Sequence, residues 1–240
     1  MPFDIDPRPQ QPLYVNPPTN ILPAGRAMGD MQVSAEYIAY NLHYLSQLSD
    51  NLSTAVISHS QGGPDVQWAL QFWPSTRKVT NSFIALSPDF TGIELLDSKL
   101  SDVCVDDLCQ ACIWQQSAGS HYYDALHYRD FEAQVPTTAI WSEFDGVVTP
   151  PESNAQLPSA MAISVQDLCP GRLTDHSSMK TDAAGFALAM DALQHGGTAS
   201  LVRVLPQALS VCLRINAKGT DKNLASDLQD TFDVVVDGFL

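Results

Sequence analysis

Ser60 ends an apolar run, Thr54-Ala-Val-Ile-Ser-His-Ser60-Gln-Gly-Gly63, at a small-x-Ser-x-Gly turn that leads into a helical pattern. That is the sequence form of a nucleophile elbow, a sharp strand-to-helix turn that pushes a serine hydroxyl into a cleft. Such a turn needs small residues around the serine, and Ser58, Gly62 and Gly63 supply them, with Ser58 where glycine is common. Serine is a poor nucleophile unless a base takes its proton, and a third group must orient that base. In this fold class an acid and then a histidine follow the serine, on loops after later strands. Asp145 in Trp141-Ser-Glu-Phe-Asp145-Gly146 fits the acid, with Glu143 the competing carboxylate, and His176 in Leu173-Thr-Asp-His176 fits the base. The other histidines read as structural: His43, His121, His127 and His195 lie in helical or capping contexts, and His59 reads as a pocket wall. The set implies acyl transfer through a serine ester, with no metal or cofactor required.

These side chains need a scaffold, and the chain predicts one of alternating strands and helices. Leu13-Tyr-Val15 reads as a short strand stopped by Asn16-Pro-Pro18. Asp30 can cap a helix to about Leu48, with Val33, Tyr37, Ile38, Leu42, Leu45 and Leu48 near helical spacing. A strand at Thr54–Ser58 and a helix from about Gln61 to Phe72, closed by Pro74, flank the serine. Asn81–Leu86, Thr137–Ser142 and Ala162–Val165 read as further strands, and 113–129 and 183–194 as helices. The stretch 90–112 has mixed signals and reads as an irregular, lid-like insertion, while 224–239 reads as a helix or a strand. The alternation argues for a mostly parallel sheet with crossover helices. Residues 1–12 read as a disordered tail and 13–240 as one domain.

Bulk composition sets the outer bounds. The chain has 240 residues, 45% of them hydrophobic and 16% charged, which describes a compact globular protein. A net charge of −15 excludes the basic footprint that nucleic acid requires. No apolar run approaches the roughly 18 residues of a transmembrane helix. The visible amino terminus, Met1-Pro-Phe-Asp-Ile-Asp-Pro-Arg-Pro9, has neither the basic start nor the apolar stretch of a signal peptide. Five cysteines, with Cys104, Cys109 and Cys112 clustered, lack a fourth ligand at zinc-finger distance, so disulfides and an oxidising compartment are expected.

Ser58-His-Ser-Gln-Gly62, Val66-Gln-Trp-Ala-Leu70 and Phe72-Trp-Pro-Ser-Thr-Arg77 resemble the elbow and following helix of the Candida antarctica lipase B family. Matches in the same order are Asn16-Pro-Pro18, Gly29-Asp-Met-Gln-Val33 with Ala35-Glu-Tyr37, Ser87-Pro-Asp89, Ile113-Trp-Gln-Gln116, Val135-Pro-Thr-Thr138 and Asp175-His176. The resemblance covers roughly residues 13 to 212. It implies an α/β-hydrolase fold, with helices on both faces of the sheet, and hydrolysis of carboxylic esters, including acylglycerols, by a secreted, extracellular monomer. It makes Ser60 the nucleophile, Asp145 the orienting acid and His176 the base, and the Gln61 backbone N–H an oxyanion donor. His59, Gln116, Val147 and Val148 would line the substrate pocket, with Asp97 a candidate pocket aspartate. Cys169 and Cys212 fit a family disulfide, leaving one pair and one thiol among Cys104, Cys109 and Cys112.

The departures from that pattern are specific. His59 stands where the family has a pocket tryptophan. The Gly-Thr-rich oxyanion segment and the carboxy-terminal flap have no counterpart, so the domain reads as N-terminally truncated. A second expectation follows from that reading: a catalytically impaired hydrolase-fold protein that binds lipid or a protein partner through the same cleft.

Overall fold

The computed structural model describes residues 27–94, 96 and 109–220. The tail 1–12, the expected strand 13–15, Asp97 and the expected element at 224–239 lie outside the described residues, as does most of the insertion at 90–112.

Among the described residues four strands, β1 (Thr54–His59), β2 (Thr80–Leu86), β3 (Thr137–Trp141) and β4 (Met161–Ser164), form one sheet in the order β1-β2-β3-β4. Every pairing is parallel, with Ile57 opposite Ile84, Ala85 opposite Ala139 and Ile140 opposite Ile163. Strands of this kind are buried on both faces and read as near-continuous apolar runs, because crossover helices cover each side. The period-2 alternation then sorts side chains between two cores. Val56, Phe83, Ala85 and Ala139 enter one cluster, while Ile57, Ile84, Leu86 and Ile140 enter the other.

The first core is roofed by α1 (Met31–Leu48), α2 (Gly62–Phe72), α3 (Ala111–Gln115) and α4 (His121–His127). Asp30 caps α1 by accepting the Gln32 N–H at 2.8 Å, as its sequence position predicts. The buried face of α1 is Met31, Ser34, Ala35, Ile38, Ala39, Leu42 and Ser46, whereas Val33, Tyr37 and Leu48 are exposed. The face that turns inward is thus richer in small residues than the apolar stripe suggested, because α1 packs directly on α2 and close helix contact favours small side chains. The helix expected over 113–129 is two short helices. Residues 116–120 leave helical geometry between them, with the Ile93 N–H bonded to the Gln116 carbonyl at 2.8 Å and Ser120 Oγ to the Gln115 carbonyl at 2.6 Å. Both bonds, one from a distant segment and one local, take carbonyls that a continuing helix would use.

Short helices α5 (Pro151–Asn154) and α6 (Val165–Leu168) flank β4. The second core is covered by α6, α7 (Ala183–Gln194), α8 (Leu201–Val204) and α9 (Ala208–Cys212). Asp182 caps α7 through the Ala184 and Gly185 N–H groups at 2.8 and 2.9 Å, and its other oxygen takes Arg172 Nε and Thr174 Oγ1. Arg172 in turn donates to the Arg214 and Ile215 carbonyls. Cys169 and Cys212 form a disulfide across 43 residues, tying α9 to the end of α6. Cys109 is also disulfide-bonded, and Cys112 is a buried free thiol whose pKa burial pushes up to about 12. No helix among the described residues is long and apolar enough to cross a membrane.

The disulfide closes a long loop that includes the segment bearing His176. A Cys169→Ser/Cys212→Ser variant should lose about 4 kcal/mol by loop entropy, read as a lower denaturant midpoint with a somewhat steeper slope, because the freed chain is more expanded when unfolded.

Candidate functional site

A parallel sheet presents the loops at its carboxyl edge as one surface, and the chemistry of this chain collects there. Ser60 directly follows β1, Ser87-Pro88-Asp89 follow β2, Asp145 follows β3, and His176 comes after β4 and α6. Ser60 has φ +55°, a left-handed conformation that costs a non-glycine residue free energy. Three local features hold it there: the Ser60 N–H donates to the Leu86 carbonyl at 3.0 Å, the Ser60 carbonyl accepts the Gly63 N–H at 2.7 Å, and α2 begins at once. A Cβ on Gly63 would sit 2.7 Å from Pro88 Cβ. The absence of a side chain at 63 therefore lets the elbow lie against the loop after β2.

His176 joins the other two residues. Its Nε2 lies 2.9 Å from Ser60 Oγ and its Nδ1 lies 2.8 Å from Asp145 Oδ2. With the carboxylate as acceptor, Nδ1 carries the proton and Nε2 turns its lone pair to the serine hydroxyl. Asp145 Oδ1 accepts the Val147 and Val148 N–H groups at 3.0 and 2.9 Å. Burial pushes the Asp145 carboxyl up, but the bonds and charge from His176 and the two backbone N–H groups outweigh it and hold the pKa below the usual value. Glu143, the competing carboxylate, points away: its side chain is exposed and its backbone N–H is held by Gln166 Oε1 at 3.1 Å.

The two loops are stitched to one another. Ser142 Oγ donates to the Thr174 carbonyl at 2.6 Å, while Gln166 Nε2 reaches both Ser142 Oγ at 3.0 Å and the Arg172 carbonyl at 2.7 Å. These polar groups are buried and paired, which fixes the acid and base loops in register. The sequence reading passed over Ser142 and Gln166 because nothing local marks a glutamine on a four-residue helix as a bridge.

His59 packs on the base, with ring centroids 4.6 Å apart, and its Nε2–H donates to the His176 carbonyl at 2.8 Å. Burial first, then the proximity of His176, lowers its pKa well below the ordinary imidazole value. Gln61 opens α2, and among the described residues its backbone N–H has no partner. Gln116 donates to Gln61 Oε1 at 3.3 Å and to the Cys112 carbonyl at 3.2 Å. Val147 is half-exposed and Val148 is buried. Two buried carboxyls were missed in the sequence, Asp65 on α2 and Asp89 beyond β2. Burial raises the Asp89 pKa to about 6 against the bond from the Tyr123 hydroxyl, 2.9 Å away. Asp89 carries a signal that a strand-end reading can use, since it stands just past the carboxyl end of β2.

The depressed pKa of Asp145 has a consequence for stability. Its folded value lies below its unfolded value, so its contribution is full above about pH 4 and is lost as pH falls through the folded pKa. Asp145→Asn should therefore flatten the acid side of a plot of denaturant midpoint against pH, below about pH 4, where the parent protein declines.

No protein-family model matches the chain. It is 31% identical over 190 residues to lipase B of Pseudozyma antarctica, covering 76% of this chain and 53% of that protein. The crystal structure of Aspergillus fumigatus lipase B superposes with a TM-score of 0.75 at 31% identity, over 90% of this chain and 53% of the other. A Bacillus licheniformis lipase in its propeptide form, at 19% identity and TM-score 0.55 over 80% of this chain and 43% of that one, shares the fold. The chain spans about half the length of the lipase B relatives it matches, and over that span its sequence and its α/β-hydrolase fold fit the lipase B family.

Proposed function

We propose that this chain hydrolyses carboxylic esters, acylglycerols among them, through a covalent acyl-enzyme on Ser60. The observation that carries the reading is the bridge made by His176, 2.9 Å from Ser60 Oγ and 2.8 Å from Asp145 Oδ2. Ser60 Oγ attacks the ester carbonyl carbon while His176 Nε2 takes its proton, and Asp145 stabilises the imidazolium without itself being protonated. The oxygen that gains charge accepts the Gln61 backbone N–H, at the positive end of α2. Collapse breaks the bond to the alcohol, which leaves with the proton from His176. Water, activated by the same imidazole, then attacks the acyl-serine and releases the carboxylic acid. By the family resemblance, His59, Gln116, Val147 and Val148 line the substrate pocket, and the packing of His59 on His176 and the bonds of Val147 and Val148 to Asp145 support that reading. The chemistry as written uses no metal or cofactor. The bridge between Cys169 and Cys212, with the disulfide at Cys109 and the lipase B relatives, supports action outside the cell.

Hydrolysis of a short p-nitrophenyl ester should fall by about 10⁴-fold or more in the Ser60→Ala variant. A fluorophosphonate probe should label the parent protein and not the variant. Equal rates in the two proteins would reject the enzyme and leave the alternative, a hydrolase fold that binds lipid or a partner through this cleft.

A further inference from the structure

Asp65 is 0% exposed on the first turn of α2, one turn beyond Ser60, among Val66, Trp68, Ala69 and Leu70 of the first core. A carboxyl there gives up its hydration, which costs free energy unless its oxygens find donors. Its Oδ2 accepts Gln61 Nε2–H at 3.2 Å, and its Oδ1 lies 3.5 Å from the Tyr122 hydroxyl. Tyr122 is itself fixed, stacked on Trp68 with centroids 4.5 Å apart.

The other atoms of the Gln61 amide are also taken. The second Nε2 hydrogen goes to the Ala27 carbonyl at 3.1 Å, and Oε1 accepts from Gln116 Nε2 at 3.3 Å. An amide with two donors and one acceptor in use has one orientation and cannot rotate without breaking a bond. Gln61 is also the residue whose main-chain N–H stands beside the nucleophile without a partner among the described residues. Its side chain is therefore a lever on that N–H, and Asp65 is the buried end to which the lever is fastened.

We propose that Asp65 is a positioning residue for ester hydrolysis, which through the Gln61 side chain aims the Gln61 backbone N–H at the oxygen that gains charge. The inference rests on the serine chemistry proposed above and deepens it, because it names a group that touches no substrate. Burial above all, then the nearby Asp89 and Asp30 carboxylates, pushes Asp65 well above the usual carboxylate range, against the pull of the bonds from Gln61 and Tyr122. Both carboxyl oxygens accept, one from Gln61 Nε2 and the other from the Tyr122 hydroxyl, so the acid is held from two sides.

An oxyanion donor acts in the transition state, so displacing it lowers kcat and leaves KM nearly unchanged. Asp65→Ala should cut kcat on a p-nitrophenyl ester by about tenfold to a hundredfold, since small misplacements of catalytic groups have costs of that order. KM should stay within about twofold, and the rate of fluorophosphonate labelling should fall in parallel with kcat. Asp65→Asn, which keeps an oxygen to accept from Gln61, should recover kcat to within about threefold of the parent. Should Asp65→Ala fail to fold, Gln61→Leu cuts the same link, retains the backbone N–H and should show the same kcat loss. Parent-like kcat in the Ala or Leu variant overturns the proposal, as does a loss confined to KM, while Ser60→Ala remains inactive in the same assay. Hydrolysis independent of Ser60 overturns the serine chemistry itself and this inference with it.

Discussion

Two hydrogen bonds to one imidazole hold the candidate site together, and each needs something from the rest of the fold. The bond from His176 Nδ1 to Asp145 Oδ2 spans 31 residues of chain and joins loops that leave different strands. A carboxylate this well buried persists as an anion only if several donors compensate its lost hydration. Val147 and Val148 supply two of them from the backbone, and the imidazole supplies the third. Ser142 and Gln166 then hold the loops so that the imidazole meets both neighbours at once.

The parallel sheet makes that meeting possible. Because all four strands run the same way, their carboxyl ends lie along one edge, and residues far apart in sequence share a small volume. Alternating side chains bury one set of apolar groups under α1 to α4 and the other under α6 to α9. The site is therefore clamped between two cores: α2, which follows Ser60 at once, packs in the first, and the segment bearing His176 is tied to the second by Asp182, Arg172 and the Cys169–Cys212 bridge. Strain at Ser60, with its positive φ, persists because neighbours on both sides determine its position.

Polar groups inside the first core carry a different lesson. Asp65, Asp89, Tyr122 and Tyr123 form a buried set behind the elbow, and burial is the leading influence that raises the pKa of each. Such groups add little net stability compared with an apolar filling of the same shape. Their bonds do fix geometry, and here those bonds end on Gln61 and on the loop after β2.

Much of the scaffold is legible in the sequence, because short-range rules decide it. The run Thr54–His59, the glycines after Ser60, the cap at Asp30 and the alanine-rich pattern of α7 each fix their own element. The order serine, acid, histidine on a strand–helix alternation selects Ser60, Asp145 and His176 from many candidates. Local pattern fails where distant partners decide. It reads 113–129 as one helix because it cannot see the bond from Ile93 to the Gln116 carbonyl, and the family resemblance assigns Val147 and Val148 to a pocket without showing that their N–H groups hold Asp145. Asp65 is invisible as a buried acid until Trp68, Tyr122 and Gln61 close around it. The sequence by itself determined which residues have the chemistry and which segments form strands and helices, since both follow from residue type and nearby spacing. Only the tertiary structure decided distances, burial and charge state, because those depend on groups brought together from remote parts of the chain.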